Sequence, residues 1–114
     1  MIKLVVKELV EQMKLKLIAG EKGITNEVKG GYVGDLLSFV MSHAKEEDVW
    51  ITIQGHINSV AVASLLGLSA IILTENVEPD KEMISKANEE DIPILSTPLN
   101  SFEVVCQVAR LSQN

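Results

Sequence analysis

The sequence predicts an α/β fold, a single three-layer α/β sandwich around a central, mostly parallel sheet, with residues 1–114 forming one domain. Three observations carry this reading. The runs Asp48-Val49-Trp50-Ile51-Thr52-Ile53-Gln54, Ala70-Ile71-Ile72-Leu73 and Ile92-Pro93-Ile94-Leu95 are short and apolar at consecutive positions. That is the pattern of strands covered by helices on both faces rather than on one. The segments between and after them space their apolar residues as helices do, and the connections are short. Alternation of that kind requires right-handed crossovers and a parallel sheet between helical layers.

Each element has its own local reason. Ile2 to Met13 sets Leu4-Val5, Leu9 and Met13 at helical spacing, with Lys7, Glu8, Glu11 and Gln12 on the other side, and reads as an amphipathic helix. Leu15, Leu17 and Ile18 alternate with Lys14 and Lys16 like a strand with one wet face. Gly20-Glu21-Lys22-Gly23 is a turn, and Thr25 to Lys29 is either a short edge strand or loop. Gly30-Gly31 and Gly34 read as tight turns or close packing. Asp35 stands before Leu36-Leu37-Ser38-Phe39-Val40-Met41, a core-facing helix ending near His43-Ala44, where a histidine suits the negative helix end.

After the first buried strand, Asn58 or Ser59 is positioned to cap a helix of small residues that Gly67 terminates. Pro79 and Asp80 open a helix with Met83, Ile84 and Ala87 facing inward. Pro93, near the start of its strand, suggests a sheet edge. Asn100 and Glu103 form a capping-box pattern before a last helix carrying Val104, Val105, Val108 and Leu111, with Cys106 read as a small buried hydrophobe on its apolar side.

Composition narrows the function classes. The net charge is −6, which disfavours nucleic acid or an anionic membrane surface as partner, because both require clustered Lys and Arg. The four aromatics, Tyr32, Phe39, Trp50 and Phe102, are too scattered for a base-stacking platform. Residues 49–74 carry no formal charge over 26 positions, long enough to cross a bilayer. Gln54, Gly55, His56, Asn58 and Ser59 interrupt that stretch, so strand, helix and strand account for it better. Charges inside the first apolar stretch argue against a signal peptide, and the lone Cys106 leaves no internal disulfide, which together fit a cytoplasmic location.

Ligands of open parallel sheets bind beyond the carboxyl ends of the strands. The candidate ligand-binding residues are therefore Gln54, Gly55, His56, Asn58 and Ser59 after the first buried strand, Thr74, Glu75 and Asn76 after the second, and Ser96 and Thr97 after the third. They offer hydroxyls, amides, one imidazole and one carboxylate to a small polar metabolite. The same residue types also serve as caps and turns. His56, with Glu75 as its one conceivable partner, is the only acid-base candidate, and no catalytic residue, cofactor or metal site is assigned. No phosphate-binding loop of the Gly-x4-Gly-Lys-Ser/Thr form occurs. The mean hydropathy of +0.22 on so short a chain points to a homodimer, with Gly30, Gly31, Tyr32 and Val33 as the expected contact. Tyr32 covering the domain's own sheet edge is the alternative.

Gly30-Gly31-Tyr32-Val33-Gly34-Asp35-Leu36-Leu37-Ser38, then Asp48 to His56, then Ala70 to Thr74, resemble the DRTGG domain family over nearly the whole chain. The resemblance implies an α/β sandwich related to the N-terminal domain of HPr kinase/phosphorylase and to modules in some phosphate acetyltransferases and CBS-domain pyrophosphatases. It also implies a dimer that acts as a regulatory or ligand-sensing part, not an enzyme, binding a small polar metabolite or a partner such as a metabolic enzyme. The naming motif departs here: Gly55-His56 stands where Asp-Arg is expected, and Thr74-Glu75-Asn76 where Thr-Gly-Gly is expected. Without the arginine, a bidentate anion contact is missing, and without the two glycines, so is close backbone approach.

Overall fold

The computed structural model describes residues 3–113. Its elements are α1 (Val6–Met13), β1 (Lys16–Ala19), β2 (Gly30–Val33), α2 (Leu37–His43), β3 (Asp48–Thr52), α3 (Ile57–Leu66), β4 (Ala70–Leu73), α4 (Lys81–Glu90), β5 (Ile94–Ser96) and α5 (Ser101–Ser112), with a 3-10 turn at Glu21–Gly23. The five strands form one sheet in the order β1-β5-β4-β3-β2, parallel throughout except for β1, which runs antiparallel to β5. The expected sandwich is therefore present.

Alternation along the central strands divides the core. Trp50, Ile71, Leu73 and Ile94 point to a layer holding Val40, Val60, Ala63, Met83 and Ala87 from α2, α3 and α4. Val49, Ile51, Ile72 and Leu95 point to the other layer, with Val6, Leu9, Val104 and Val108 from α1 and α5. β3 and β4 are buried at every position, as their unbroken apolar runs require. Trp50 satisfies its indole N–H on the Gly34 carbonyl at 2.9 Å, which draws the turn after β2 down onto the core.

Several sequence expectations need correction. The first helix begins at Val6 rather than Ile2: Leu4 accepts from the Val28 N–H (2.8 Å) and Val5 bridges Glu27, so this piece is extended against the loop before β2. Ile2, at the start of the expected helix, lies outside the described residues. Gly30 and Gly31 do not make a turn; they begin β2, pairing in parallel with Asp48 and Val49. Two glycines hide the β-propensity of a four-residue strand, and only its register against β3 reveals it.

Pro93 does not mark an edge, since β5 lies between β1 and β4. It sits just before the strand, where its carbonyl accepts from Ile71 (2.9 Å) and its missing N–H breaks no ladder within β5. Cys106 is exposed, because the buried face of α5 is Val104 and Val108 and residue 106 falls on the opposite side of the helix. The cap of α3 is His56, with Asn58 and Ser59 already inside the helix. The expected ends of α2 and the Asn100–Glu103 capping box are present.

Candidate functional site

The rim lies over the carboxyl ends of β2, β3, β4 and β5, which the parallel topology brings to one side of the sheet. At β3 the chain ends in Thr52, and the next residues are clipped to the loop after β2. Asp35 Oδ1 accepts from Thr52 Oγ1 at 2.8 Å and from the Ile53 N–H at 3.0 Å, while the Asp35 carbonyl accepts from Gln54 Nε2 at 2.6 Å. Gln54 is held from the other side as well, its carbonyl accepting from Ser59 Oγ at 2.7 Å. The buried Ser59 hydroxyl thus serves the backbone and does not face a ligand.

Gly55 allows the next contact. A Cβ there would stand 2.9 Å from the Glu78 carbonyl oxygen, so glycine lets the start of β3–α3 lie against the loop before α4. The Asp80 N–H donates to the Gly55 carbonyl at 2.9 Å. His56 and Asp80 cap α3 and α4 respectively, and neither side chain bonds its own helix. Instead the imidazole donates from Nδ1 to Asp80 Oδ2 at 2.9 Å, joining two helix starts. Both side chains are open to solvent, 64% and 52% exposed. The carboxylate paired with His56 is therefore Asp80, not Glu75.

The loop after β4 is bound to the loop after β5. Glu75 and Asn76 both have φ of +58°, the left-handed region that glycine favours. That conformation points the Glu75 N–H at the Leu99 carbonyl (2.9 Å) and the Asn76 N–H at the Thr97 carbonyl (3.0 Å). Thr97 in turn accepts the Leu99 N–H on Oγ1 at 3.2 Å. Thr74 continues the β3–β4 ladder, its N–H on the Thr52 carbonyl at 3.1 Å, and is fully buried with a hydroxyl that bonds nothing. Ser96 ends β5 opposite Lys16 and beside Leu73.

The ten expected ligand residues thus sort into two groups. Ser59, Thr74, Thr97 and Gly55 are buried and hold the rim together, His56, Asn58, Glu75 and Asn76 are exposed, and Gln54 and Ser96 are half-buried between the two groups. Sequence reasoning placed Asp35 and Asp80 only at helix starts. Their roles as a loop clip and as the imidazole's partner arise from strand adjacency, which no local pattern carries. Around the ends of β2, β3 and β4, the exposed charges are Asp35, Glu75, Glu78 and Asp80 against Lys81 and the imidazole of His56. Such a rim repels polyanions. Among the described residues, no group of three or more His, Cys, Asp and Glu side chains could hold a metal ion, and no helix is long and apolar enough to cross a membrane.

A three-layer α/β sandwich with a cluster of polar groups at a loop-built rim over the carboxyl ends of its parallel strands defines a class of small α/β domains. Within that class the chain belongs to the DRTGG domain family, whose profile matches residues 8–111. Among solved structures it resembles the CBS and DRTGG domains of the regulatory region of Clostridium perfringens pyrophosphatase, complexed with its activator diadenosine tetraphosphate. The TM-score is 0.70 at 20% identity, covering 90% of this chain and 44% of that one. Comparison with curated proteins gives no match.

Proposed function

We propose that this chain is a non-catalytic regulatory module, associating as a homodimer, that takes a small polar ligand at the exposed part of the rim around His56, Asn58, Asn76 and Asp80. The observation that carries the reading is how the rim's groups are used. Asp35, Ser59 and Thr97 are committed to backbone contacts, and the one imidazole is bonded to a carboxylate in open solvent rather than held against a nucleophile. A site of this kind can hold a molecule, and among the described residues no nucleophilic side chain is bonded to the imidazole–carboxylate pair. Its charge selects an uncharged or cationic polar ligand over a polyphosphate. The exposure of Val33 (46%), Leu36 (62%) and Phe39 (57%) supports self-association.

Isothermal titration against diadenosine tetraphosphate, mononucleotides, acyl phosphates, sugar phosphates, nucleosides and diamines tests the ligand. Binding is expected among the uncharged or cationic members and lost in His56→Ala. Silence across the whole panel at millimolar concentration would remove the metabolite reading. Turnover of any member that disappears in His56→Ala would overturn the non-catalytic one.

A further inference from the structure

α1 and α5 cover the same face of the sheet, and a groove of about 320 Å³ lies between them. Gln12 and Met13 line it from α1, and Gln107, Arg110 and Leu111 from α5. Met13 is buried and Leu111 packs against the core, so the base of the groove is apolar. Gln107 and Arg110 are three residues apart and share one side of α5. The polar groups here are uncommitted. Among the described residues, the guanidinium of Arg110 has no carboxylate within ion-pair distance. Neither it nor the carboxamides of Gln12 and Gln107 enter a hydrogen bond among those residues. A cation in the last turn of α5 suits the negative helix end, yet carbonyls there are already taken. The Gln113 N–H bonds those of Arg110 and Leu111, and Ser112 Oγ bonds that of Val108 at 2.8 Å.

The nearby acids leave the guanidinium unmatched. Glu8 and Glu103 turn their carboxylates to the starts of their own helices, accepting the Val5 N–H at 3.2 Å and the Asn100 N–H at 3.1 Å. Glu11 is the neighbour of Gln12 along α1 and so stands about 100° away from it around the helix. Lys14, exposed and directly after Met13, adds positive charge at the same end of α1. We propose that this groove binds a small organic carboxylate. The guanidinium of Arg110 takes the two carboxylate oxygens through paired N–H donors, the carboxamides of Gln12 and Gln107 bond the remaining lone pairs or a neighbouring polar group, and Met13 and Leu111 receive a short apolar body. A planar fork fits a carboxylate, whereas a divalent phosphate calls for more than one cation at the site. The groove belongs to the α1–α5 layer, while His56 and Asp80 start helices of the opposite layer, so this site and the rim stand or fall separately.

Arg110 is the chain's single arginine, so its guanidinium Nε–H gives one resonance in a nitrogen-15-labelled sample and reports on the groove directly. The probes are benzoate and hexanoate, titrated at fixed ionic strength, with benzamide and inorganic phosphate as controls. At least one of the two carboxylates should shift the Arg110 Nε–H and the backbone amides of Gln12 and Gln107 together and saturably, with a dissociation constant of about 1–10 mM, the strength that one charge-assisted contact and a small apolar burial allow. Arg110→Gln should weaken that binding at least about tenfold, and Arg110→Lys, which keeps the charge but not the fork, should not restore it. Arg110 is exposed, so both variants keep the fold, verified by circular dichroism. The absence of a saturable shift with either carboxylate up to about 50 mM would overturn the site. So would binding that is undiminished in Arg110→Gln, or benzamide or phosphate moving the same resonances with equal affinity.

Discussion

Thr74→Val tests the account of the rim at its most buried point. Thr74 has no exposed surface and its hydroxyl has no hydrogen-bond partner, although the residue stands in the ladder between β3 and β5. A buried hydroxyl without a partner costs about 1–3 kcal/mol relative to one that is satisfied. Valine keeps nearly the same shape and removes that cost, so the variant should be more stable by about 1–2 kcal/mol. For a chain of 114 residues this raises the melting temperature by roughly 4–8 °C. Urea unfolding followed by the fluorescence of Trp50, the single and fully buried tryptophan, gives the free energy directly. A loss of stability beyond about 1 kcal/mol would mean that the hydroxyl bonds something in solution, which would place a bound molecule beneath the loop after β4.

Gly20→Ala should cost about 3 kcal/mol or prevent folding, since Gly20 has φ +73° and a Cβ there would lie 2.0 Å from the Ile92 carbonyl oxygen; a variant within about 1 kcal/mol of the parent by urea titration would refute the packing of β1 on the turn before β5. Glu75→Gly should stabilise by about 0.5–1 kcal/mol because φ is +58° there, and Asn76→Gly by less, since asparagine tolerates that region better; a destabilised Glu75→Gly would show that the glutamate side chain makes a compensating contact. For Lys29, hydrogen bonding to Glu47 raises the pKa above 10.5, with the charges of Glu47 and Glu27 adding to it. A raised lysine value means that the contribution is complete below the ordinary value and is lost as pH rises through the folded one. The melting-temperature difference between wild type and Lys29→Met should therefore hold constant from about pH 7 to 9 and shrink above about pH 10.5, and growth of the difference at high pH would contradict the assignment.

What could be read from the sequence is what depends on local chemistry. β3 and β4 were legible because burial on both faces forces unbroken apolar runs, and the start of α5 because Asn100 and Glu103 satisfy each other's backbone N–H groups at 2.9 and 3.1 Å. β2 was not, because Gly30 and Gly31 suppress every propensity signal in four residues. Strand order was not legible either: Pro93 carries an edge signal, yet β1 runs back antiparallel beside β5, an arrangement fixed by the whole chain. The polar groups of the rim were visible as a cluster, but not their use. Ser59 and a cap residue look alike in sequence, and only the turn after Gln54 decides that the hydroxyl bonds the Gln54 carbonyl.

The departures from the family's naming motif have different physical consequences at its two halves. Where Thr-Gly-Gly is expected, Glu75 and Asn76 adopt the left-handed backbone that glycine favours. The N–H groups it exposes are already bonded to Leu99 and Thr97, which means the turn secures the neighbouring loop and does not cradle an anion. Where Asp-Arg is expected, Gly55 and His56 permit a contact that an aspartate would obstruct, because any Cβ at residue 55 meets the Glu78 carbonyl at 2.9 Å. The approach of the α4 start to β3 thus depends on the glycine, and the His56–Asp80 pair is set beside that approach. An arginine at position 56 could still pair with Asp80, but an aspartate at 55 would push the two helix starts apart. The rim of this chain accordingly carries a carboxylate-imidazole pair, His56 with Asp80, that the glycine at residue 55 helps to set in place.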